Sequence, residues 1–306
     1  MPFSPRRHYD WHLRTRTLSL GKRTILMGIL NVTPDSFSDG GYFYSPQHAP
    51  DRAFEQALKM LEAGAEILDI GGESTRPNAT QLSADEEQSR ILPVVESILK
   101  EKPSAILSID TFHAATARRA LEAGAEIVND VSGHLWDPGM SKTCAQSGCG
   151  AILMHTRGRP QDWPNLPPLA PEAVMPLVLT ELAERLESAI AAGVPRNKIV
   201  LDPGFGFGKR LDENYPLLAH FDQLSQFDLP ILAGISRKGF LAHTLAQSPS
   251  LSLLLEGATP SMDDRLHATT AANVAAILAG AHILRTHDVR PAVEAAAIAD
   301  QILAAL

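Results

Sequence analysis

Short polar segments directly follow seven of the apolar runs in this chain of 306 residues. The most distinctive segment, residues 31–41 (NVTPDSFSDGG), comes straight after the apolar run 24–30. The other six begin at Asp69, Ser108, Val128, Asp202, Gly234 and Arg285. When strands form a parallel barrel, the loops that follow them meet on a single face. The sequence therefore predicts one site to which seven loops contribute.

Eight apolar runs have the composition of buried parallel strands, since they are rich in Leu and β-branched residues and do not alternate. We place these strands at 25–30, 66–70, 105–109, 126–129, 150–154, 198–202, 230–235 and 281–285. Segments of 3.6-residue periodicity predict helices at 51–63, 84–101, 114–123, 171–192 and 265–279. Strands and helices that alternate over ~250 residues predict an α/β fold with a single (β/α)8 TIM barrel. The first strand is not followed by G-x-G-x-x-G, which disfavours a Rossmann fold.

A repeated phrase supports this architecture. Residues 62–67 and 122–127 both read EAGAEI, and residues 278–283 read LAGAHI. A glycine after a helical segment is typical of a left-handed helix C-cap, and the next apolar residues begin a strand. The phrase therefore predicts the helix-to-strand junction of a (β/α) repeat.

The chain divides into an N-terminal extension, residues 1–24, and a barrel domain, residues 25–306. Residues 12–24 alternate in polarity and contain Gly21-Lys22, which predicts a small hairpin that closes the bottom of the barrel. Neither a signal peptide nor an apolar run of ~20 residues is evident, so we expect a cytoplasmic protein without a membrane span. The two cysteines, Cys144 and Cys149, have no partners at zinc spacing and are expected to be reduced thiols.

The net charge of −8 and the pI near 5.8 argue against nucleic acid as a partner, because non-specific binding needs a basic face. Small anionic substrates stay possible, since local Arg and Lys clusters act within a Debye length of ~8 Å.

Asp110, Asn129 and Asp202 are candidates for the floor of the barrel mouth. Each one alone could be a helix cap or a turn residue, but together they suggest a ligand. A carboxylate can accept two parallel hydrogen bonds from the ring N–H and amino groups of an aminopyrimidinone, so a polar heterocycle is expected.

A second group of residues suggests an anion site. Arg285 and His287 occupy alternate positions where the chain leaves the last strand, and they face the same way. With Thr75 and Arg76 from the second loop they could hold a phosphate or diphosphate, because the loops after strands 7 and 8 are the usual anion site of barrels. Asn31 offers a neutral oxygen suited to Mg²⁺, which commonly binds substrate phosphates.

From residue 24 onward, five motifs in the same order resemble those of the dihydropteroate synthase family of pterin-binding barrels. They are residues 27–41 (MGILNVTPDSFSDGG), 71–77 (GGESTRP), 202–209 (DPGFGFGK), 236–238 (SRK) and 285–288 (RTHD). The resemblance implies a transferase that joins 6-hydroxymethyl-7,8-dihydropterin diphosphate to 4-aminobenzoate, giving 7,8-dihydropteroate and diphosphate. It also implies a homodimer.

The family's residue roles transfer to matching positions as expectations. The pterin would be bound by Asp110, Asn129, Asp202 and Lys238, with Met154 packed nearby. The diphosphate would be bound by Thr75, Arg76, Arg285 and His287, with Asn31 on Mg²⁺, and the aminobenzoate would be framed by Phe207, Ser236 and Arg237. Asp35 in the first loop joins Asp110, Asp202 and Lys238 as an expected catalytic residue. Three positions depart from the family's usual residues: Thr156, Gly239 and Ala268.

Two other functions fit a pterin-binding barrel. Corrinoid-linked methyltransferases would share the Asp110, Asn129 and Asp202 floor but have no use for the first loop, SRK or RTHD. A barrel that only binds pterins would have lost loop residues, and here the loop motifs are intact. The sequence therefore favours the synthase reaction.

Overall fold

The computed structural model describes residues 3–33, 49–73, 81–254 and 260–306. A two-stranded antiparallel hairpin comes first, formed by β1 (Tyr9–His12) and β2 (Thr17–Leu20). The hairpin was expected at 12–24 with its turn at Gly21-Lys22, and that position is wrong. The turn lies at residues 13–16, where the Leu13 N–H donates to the Arg16 carbonyl at 2.8 Å. Gly21, at φ 106°, instead lies between the hairpin and the barrel.

Eight parallel strands form the barrel. They are β3 (Ile25–Asn31), β4 (Ile67–Gly71), β5 (Ile106–Asp110), β6 (Ile127–Asp130), β7 (Gly150–Met154), β8 (Ile199–Asp202), β9 (Leu232–Ala233) and β10 (Ile283–Thr286). The sheet runs in the order β8-β7-β6-β5-β4-β3-β10-β9, and a parallel bridge between Leu201 and Ile231 joins its two edges. The predicted (β/α)8 fold is confirmed. The seventh strand is shorter than expected, since only residues 232–233 of the run 230–235 are paired as a strand.

The helices surround this barrel. They are α1 (Ala49–Glu62), α2 (Ala84–Glu101), α3 (Ala114–Glu122), α4 (Met140–Ser147), α5 (Pro171–Ala191), α6 (Asn214–Ala219), α7 (Gly239–Gln247), α8 (Pro249–Leu254), α9 (Leu266–Leu278) and α10 (Val289–Ala304). The five helices predicted from periodicity are confirmed as α1, α2, α3, α5 and α9, with ends within two residues of the expected ones. Within the described residues, no helix is long and apolar enough to cross a membrane.

The helix-to-strand junctions follow the repeated phrase. Gly64, Gly124 and Gly280 have φ of 106°, 114° and 108°, a backbone region that glycine adopts without steric cost. Each residue after these glycines donates its N–H back to the helix, as the Ala65 N–H does to the Met60 carbonyl at 2.9 Å. The phrase therefore ends a helix and turns the chain into the next strand, as predicted.

The lower half of the barrel interior is apolar. The hairpin residues Trp11, Leu13 and Leu20 pack against it and close the bottom of the barrel, as expected. Each barrel strand contributes one or two inward side chains: Ile25, Met27, Ile67, Ile106, Ile127, Ile152, Val200, Leu232 and Ile283. Trp11 also donates its Nε1–H to the Lys198 carbonyl at 2.8 Å, which fixes the hairpin to the start of β8. With this end closed, the loops that carry the motifs stand at the opposite end.

Candidate active site

Above the apolar layer, the inward side chains become polar. Successive residues of a strand point to opposite faces, so the residue two positions after an inward one is also inward. Two residues beyond Ile67, Ile106, Ile127, Val200 and Ile283 lie Asp69, Ser108, Asn129, Asp202 and Arg285. We call these five side chains the polar layer. It lies near the carboxyl ends of the strands, where barrel enzymes have their active sites.

Arg285 links Asp69 of this layer to Asp110, the next inward residue of β5. Its Nε–H donates to Asp69 Oδ2 at 2.6 Å, and an Nη2–H donates to Asp110 Oδ2 at 2.5 Å. The same Oδ2 of Asp69 accepts a hydrogen bond from Asn129 Nδ2 at 2.9 Å. Four side chains expected or found at the mouth are therefore connected through one guanidinium and one carboxylate oxygen.

Burial and the neighbouring charges shift the pKa values of the groups at the mouth. Burial raises the pKa of Asp110 to about 7, although Arg285 opposes the rise; the neighbouring Asp69 adds to it. Burial also raises the pKa of Asp202. Burial disfavours the charge on Arg285, but Asp69 and Asp110 outweigh it and raise the pKa of Arg285 further above its usual value. At neutral pH the mouth therefore contains a permanent cation and a carboxyl, Asp110, that is only partly ionised.

Lys238 and Asp202 also lie at the mouth, and Arg285 is a charged neighbour of both. Asp202 Oδ1 accepts a hydrogen bond from the Gly204 N–H at 2.7 Å, which shapes the glycine-rich loop after β8. Lys238 Nζ lies 4.0 Å from the centroid of the Phe207 ring, within the range of a cation–π contact. Burial and then Arg285 lower the pKa of Lys238 to about 8, while Asp202 opposes this fall. The lysine is therefore still mostly charged at pH 7.

An apolar wall stands beside the charged groups. Met154 forms a small buried cluster with Phe112 and Val131, and Trp136 and Phe207 pack against it. Phe112 and Trp136 meet edge to face, with ring centroids 5.1 Å apart. Such a wall suits a flat heterocycle whose edge is hydrogen-bonded by the polar layer, and it puts Met154 and Phe207 in one cluster.

His287 and Ser236 form a second pair at the ends of β9 and β10. The His287 N–H donates to Ser236 Oγ at 3.2 Å, and Ser236 Oγ lies 3.0 Å from His287 Nδ1. Burial, followed by Arg285, lowers the pKa of His287 to about 3. The imidazole is therefore neutral. If the Ser236 hydroxyl donates to Nδ1, the ring proton is assigned to Nε2, and His287 can offer an anion a hydrogen bond but no charge.

Arg237 forms an ion pair with Asp288 and does not join the network around Arg285. Its Nε–H and Nη2–H donate to the two carboxylate oxygens of Asp288 at 2.9 and 2.5 Å. The residue adopts φ 57°, a left-handed conformation that its neighbours hold: its N–H donates to Thr269 Oγ1, and its carbonyl accepts from Arg265. The side chain expected to frame the aminobenzoate is thus paired with an acid that follows β10.

Asn31 ends β3. It pairs in register with Gly71, and Gly71 pairs with Asp110 on its other side, so Asn31 lies at the level of the upper mouth. Over residues 3–33, 49–73, 81–254 and 260–306, no three Asp, Glu, His or Cys side chains group as a ready metal site. The three remaining candidates, Asp35, Thr75 and Arg76, lie outside the described residues.

Asp69 was not selected from the sequence, although a signal for it was present. It stands two residues after Ile67, whose side chain is in the barrel interior, so Asp69 points to the same face, and a carboxylate within an apolar strand is itself the signal. Ser108 has the same parity on β5. A buried carboxylate on an inward position requires partners, and this would have pointed to the arginine of another strand.

Comparison with known proteins agrees with this geometry. The family model described as pterin binding enzyme matches residues 27–287. Dihydropteroate synthase of Escherichia coli (strain K12) is 39% identical over 280 residues, which cover 92% of each chain. The structure of the Xanthomonas albilineans dihydropteroate synthase with 4-aminobenzoic acid has a TM-score of 0.83 at 36% identity, covering 98% of this chain and 99% of that one. The Yersinia pestis dihydropteroate synthase, solved as a sulfonamide drug complex, has a TM-score of 0.84 at 39% identity, covering 98% and 100%.

A matching family model over this span and relatives at this identity define the class. The chain belongs to the pterin binding enzyme family, among its dihydropteroate synthases.

Proposed function

We infer that the barrel mouth carries out the dihydropteroate synthase reaction of folate synthesis. The enzyme is a transferase that condenses 6-hydroxymethyl-7,8-dihydropterin diphosphate with 4-aminobenzoate and releases diphosphate. The observation that best supports the site is the buried network of Asp69, Asp110, Asn129 and Arg285 beside an apolar wall. It offers hydrogen-bond acceptors to a pterin and a permanent positive charge to its diphosphate.

The carboxylates and the arginine at the mouth stabilise opposite charges that develop in the reaction. As the bond between the pterin methylene and the diphosphate oxygen breaks, the electron pair leaves with the diphosphate and a cation forms that the pterin can delocalise. Asp110 and Asp202 stabilise that positive charge, and Arg285 stabilises the leaving anion. Neutral His287 adds a hydrogen bond. The arylamine nitrogen then bonds to the methylene carbon and releases a proton to water, which needs no strong base because the electrophile is already formed.

We propose Mg²⁺ as the cofactor, held by Asn31 together with substrate phosphate oxygens and water. The donor chemistry fits, because Mg²⁺ binds through few protein ligands and keeps several waters. An amide oxygen at the upper mouth, without an acidic cluster in the described part of the chain, is consistent with a metal that arrives with its phosphates. When bound, Mg²⁺ would neutralise charge on the departing diphosphate.

The direct test is a turnover assay with the pterin diphosphate, labelled 4-aminobenzoate and Mg²⁺. We expect equal amounts of labelled product and diphosphate, with neither formed when one substrate is omitted. Label that stays in 4-aminobenzoate while diphosphate is released would show hydrolysis rather than condensation. A protein that binds the pterin without releasing diphosphate would be a binding barrel only.

Gly234→Ala is expected to weaken pterin binding without harming the fold. A Cβ at this position would lie 3.7 Å from Asp202 Oδ2 and 3.9 Å from Arg285 Cβ, which is ordinary contact, but it would project between two groups of the polar layer. We expect a tenfold or greater loss of affinity for a pterin analogue, about 1.4 kcal/mol or more, measured by calorimetry. Gly239→Ala is the matched control, since a Cβ there meets nothing within 4 Å. The affinity of this variant for the pterin analogue should be unchanged. Equal affinities for the two variants would remove Gly234 from the site.

Asp35→Ala is a prediction from the sequence alone, because Asp35 lies outside the described residues. If the first loop acts only on the developing cation, kcat should fall while pterin affinity changes little, as expected for an interaction made mainly in the transition state. Steady-state rates and pterin affinity measured on one folded preparation test this. Wild-type turnover would exclude Asp35 from the chemistry.

We further propose that the protein acts as a homodimer in the cytoplasm. Ile298 and Ile302 lie one turn apart on α10 and are 66% and 38% exposed, which supports burial of this helix against a second copy. Both cysteines are free and buried, which suits a reducing compartment. Sedimentation equilibrium would determine the number of copies in solution.

A further inference from the structure

Asp69 is the most enclosed charged group at the mouth, and the reaction described above gives it no role. Its side chain is 0% exposed, so it cannot reach a ligand directly. One oxygen, Oδ2, nevertheless accepts from both Arg285 Nε and Asn129 Nδ2, at 2.6 and 2.9 Å. Both donors belong to side chains through which we expect the pterin substrate to be bound.

These two hydrogen bonds decide which atoms are left for the ligand. With Nδ2 of Asn129 turned toward Asp69, the amide oxygen is the acceptor presented to the mouth. With Nε of Arg285 on Asp69 and Nη2 on Asp110, the guanidinium plane is fixed at two points. Among the hydrogen bonds of the described residues, Nη1 of Arg285 makes none, so its donors are available to an anion.

We propose that Asp69 is a positioning residue for the pterin diphosphate, holding the Asn129 amide and the Arg285 guanidinium in their ligand-binding orientations. This inference rests on the proposed function. It assigns to β4 a part in recognising the heterocycle that does not involve contact with it. A carboxylate suits the role because one of its oxygens can accept two donors while its charge balances the arginine. Without it, Asn129 could turn its NH₂ group toward the ligand and Arg285 would keep only one of its two anchors.

Calorimetry with 6-hydroxymethylpterin, which lacks phosphates, tests the effect on the heterocycle. We expect Asp69→Ala to weaken its binding by about tenfold or more, the loss typical of a hydrogen bond to a charged group. In an Asn129→Ala background, Asp69→Ala should add less than about threefold, because residues that act through one another are not additive. If the two losses multiply, Asp69 does not act through Asn129, and the proposal is overturned.

A matched control separates positioning from stability. Glu126 is also a buried carboxylate, 3% exposed, and it holds the hairpin by accepting from the Thr15 N–H at 2.8 Å. Glu126→Ala should therefore lower the melting temperature while leaving pterin affinity within twofold of wild type. A comparable affinity loss in Glu126→Ala would show that the Asp69 effect reflects general destabilisation.

Asp69→Asn is the second variant, because it is the milder change to this buried position. An asparagine oxygen can still accept both hydrogen bonds but carries no charge. We expect KM for the pterin diphosphate to rise severalfold, less than in Asp69→Ala where both fold, with KM for 4-aminobenzoate unchanged. An unchanged pterin KM, or an equal rise for both substrates, would overturn the proposal. A failure of the proposed function would look different, because wild-type protein itself would then not bind the pterin or turn over.

Discussion

Arg285→Ala is expected to destabilise the folded protein by about 3–5 kcal/mol at pH 8, the usual cost of removing one partner from a buried ion pair. The arginine side chain is 15% exposed and pairs with Asp69, which is fully buried, and Asp110, which is 17% exposed. Its loss leaves two carboxylates near each other without a cation. Diphosphate binding should be lost as well. Binding of a phosphate-free pterin should be largely spared, because Arg285 is assigned to the diphosphate; equal weakening of both ligands would make Arg285 a structural residue instead.

The destabilisation should be smaller at pH 5. The pKa of Asp110 is raised from 3.8 to about 7 in the folded protein, so the folded state binds the extra proton between these values and loses stability as pH rises through that window. Arg285 lowers this pKa, so its removal raises the folded pKa further and extends the penalty to higher pH. At pH 5, Asp110 is protonated with or without the arginine. Its contribution to the loss in free energy of unfolding therefore disappears.

Urea unfolding of wild type and Arg285→Ala at pH 5 and pH 8 measures both effects. Arg290→Ala is the matched control, because Arg290 pairs with Glu294 on α10 while 73% exposed, and such exposed pairs contribute little. We expect that variant to match wild type at both pH values. If Arg285→Ala loses the same free energy of unfolding at pH 5 and pH 8, the ionisation of Asp110 is not coupled to Arg285.

Asp202→Ala is expected to weaken the binding of a pterin analogue by one to two decades. The heterocycle's donors would lose a carboxylate, and a hydrogen bond to a charged group contributes about 1.5–3 kcal/mol. The same change removes the acceptor of the Gly204 N–H, so part of the loss could come from the loop after β8.

Asp202→Asn separates these two causes. Its amide oxygen can still accept from Gly204, but the second oxygen is replaced by an NH₂ group that opposes the donors of the pterin. We expect the asparagine variant to lose nearly as much affinity as the alanine variant, measured by calorimetry on folded protein. Wild-type affinity in Asp202→Asn would reduce Asp202 to a residue that shapes the loop.

Local sequence was sufficient for the barrel strands and the five periodic helices because the relevant signals are local. Buried parallel strands are recognisable as apolar runs, and the EAGAEI motif places a glycine where φ must be positive. The hairpin shows where such signals fail. Residues 12–24 alternate, but the pairing of Tyr9 with Leu20 is decided by Trp11, Leu13 and Leu20, whose burial against the barrel bottom outweighs the turn preference of Gly21-Lys22.

The sequence by itself determined the barrel, the end at which the site lies and the types of groups present there, since motifs and strand periodicity are properties of contiguous residues. Only the tertiary structure decided how those groups pair. Arg285 meets Asp69 and Asp110 because β10 pairs with β3, which brings the last strand beside the strands that follow β3. Arg237, next to Ser236 in the same motif, is instead paired with Asp288. Charge pairing depends on distances between strands far apart in the chain, and closure of the barrel sets those distances.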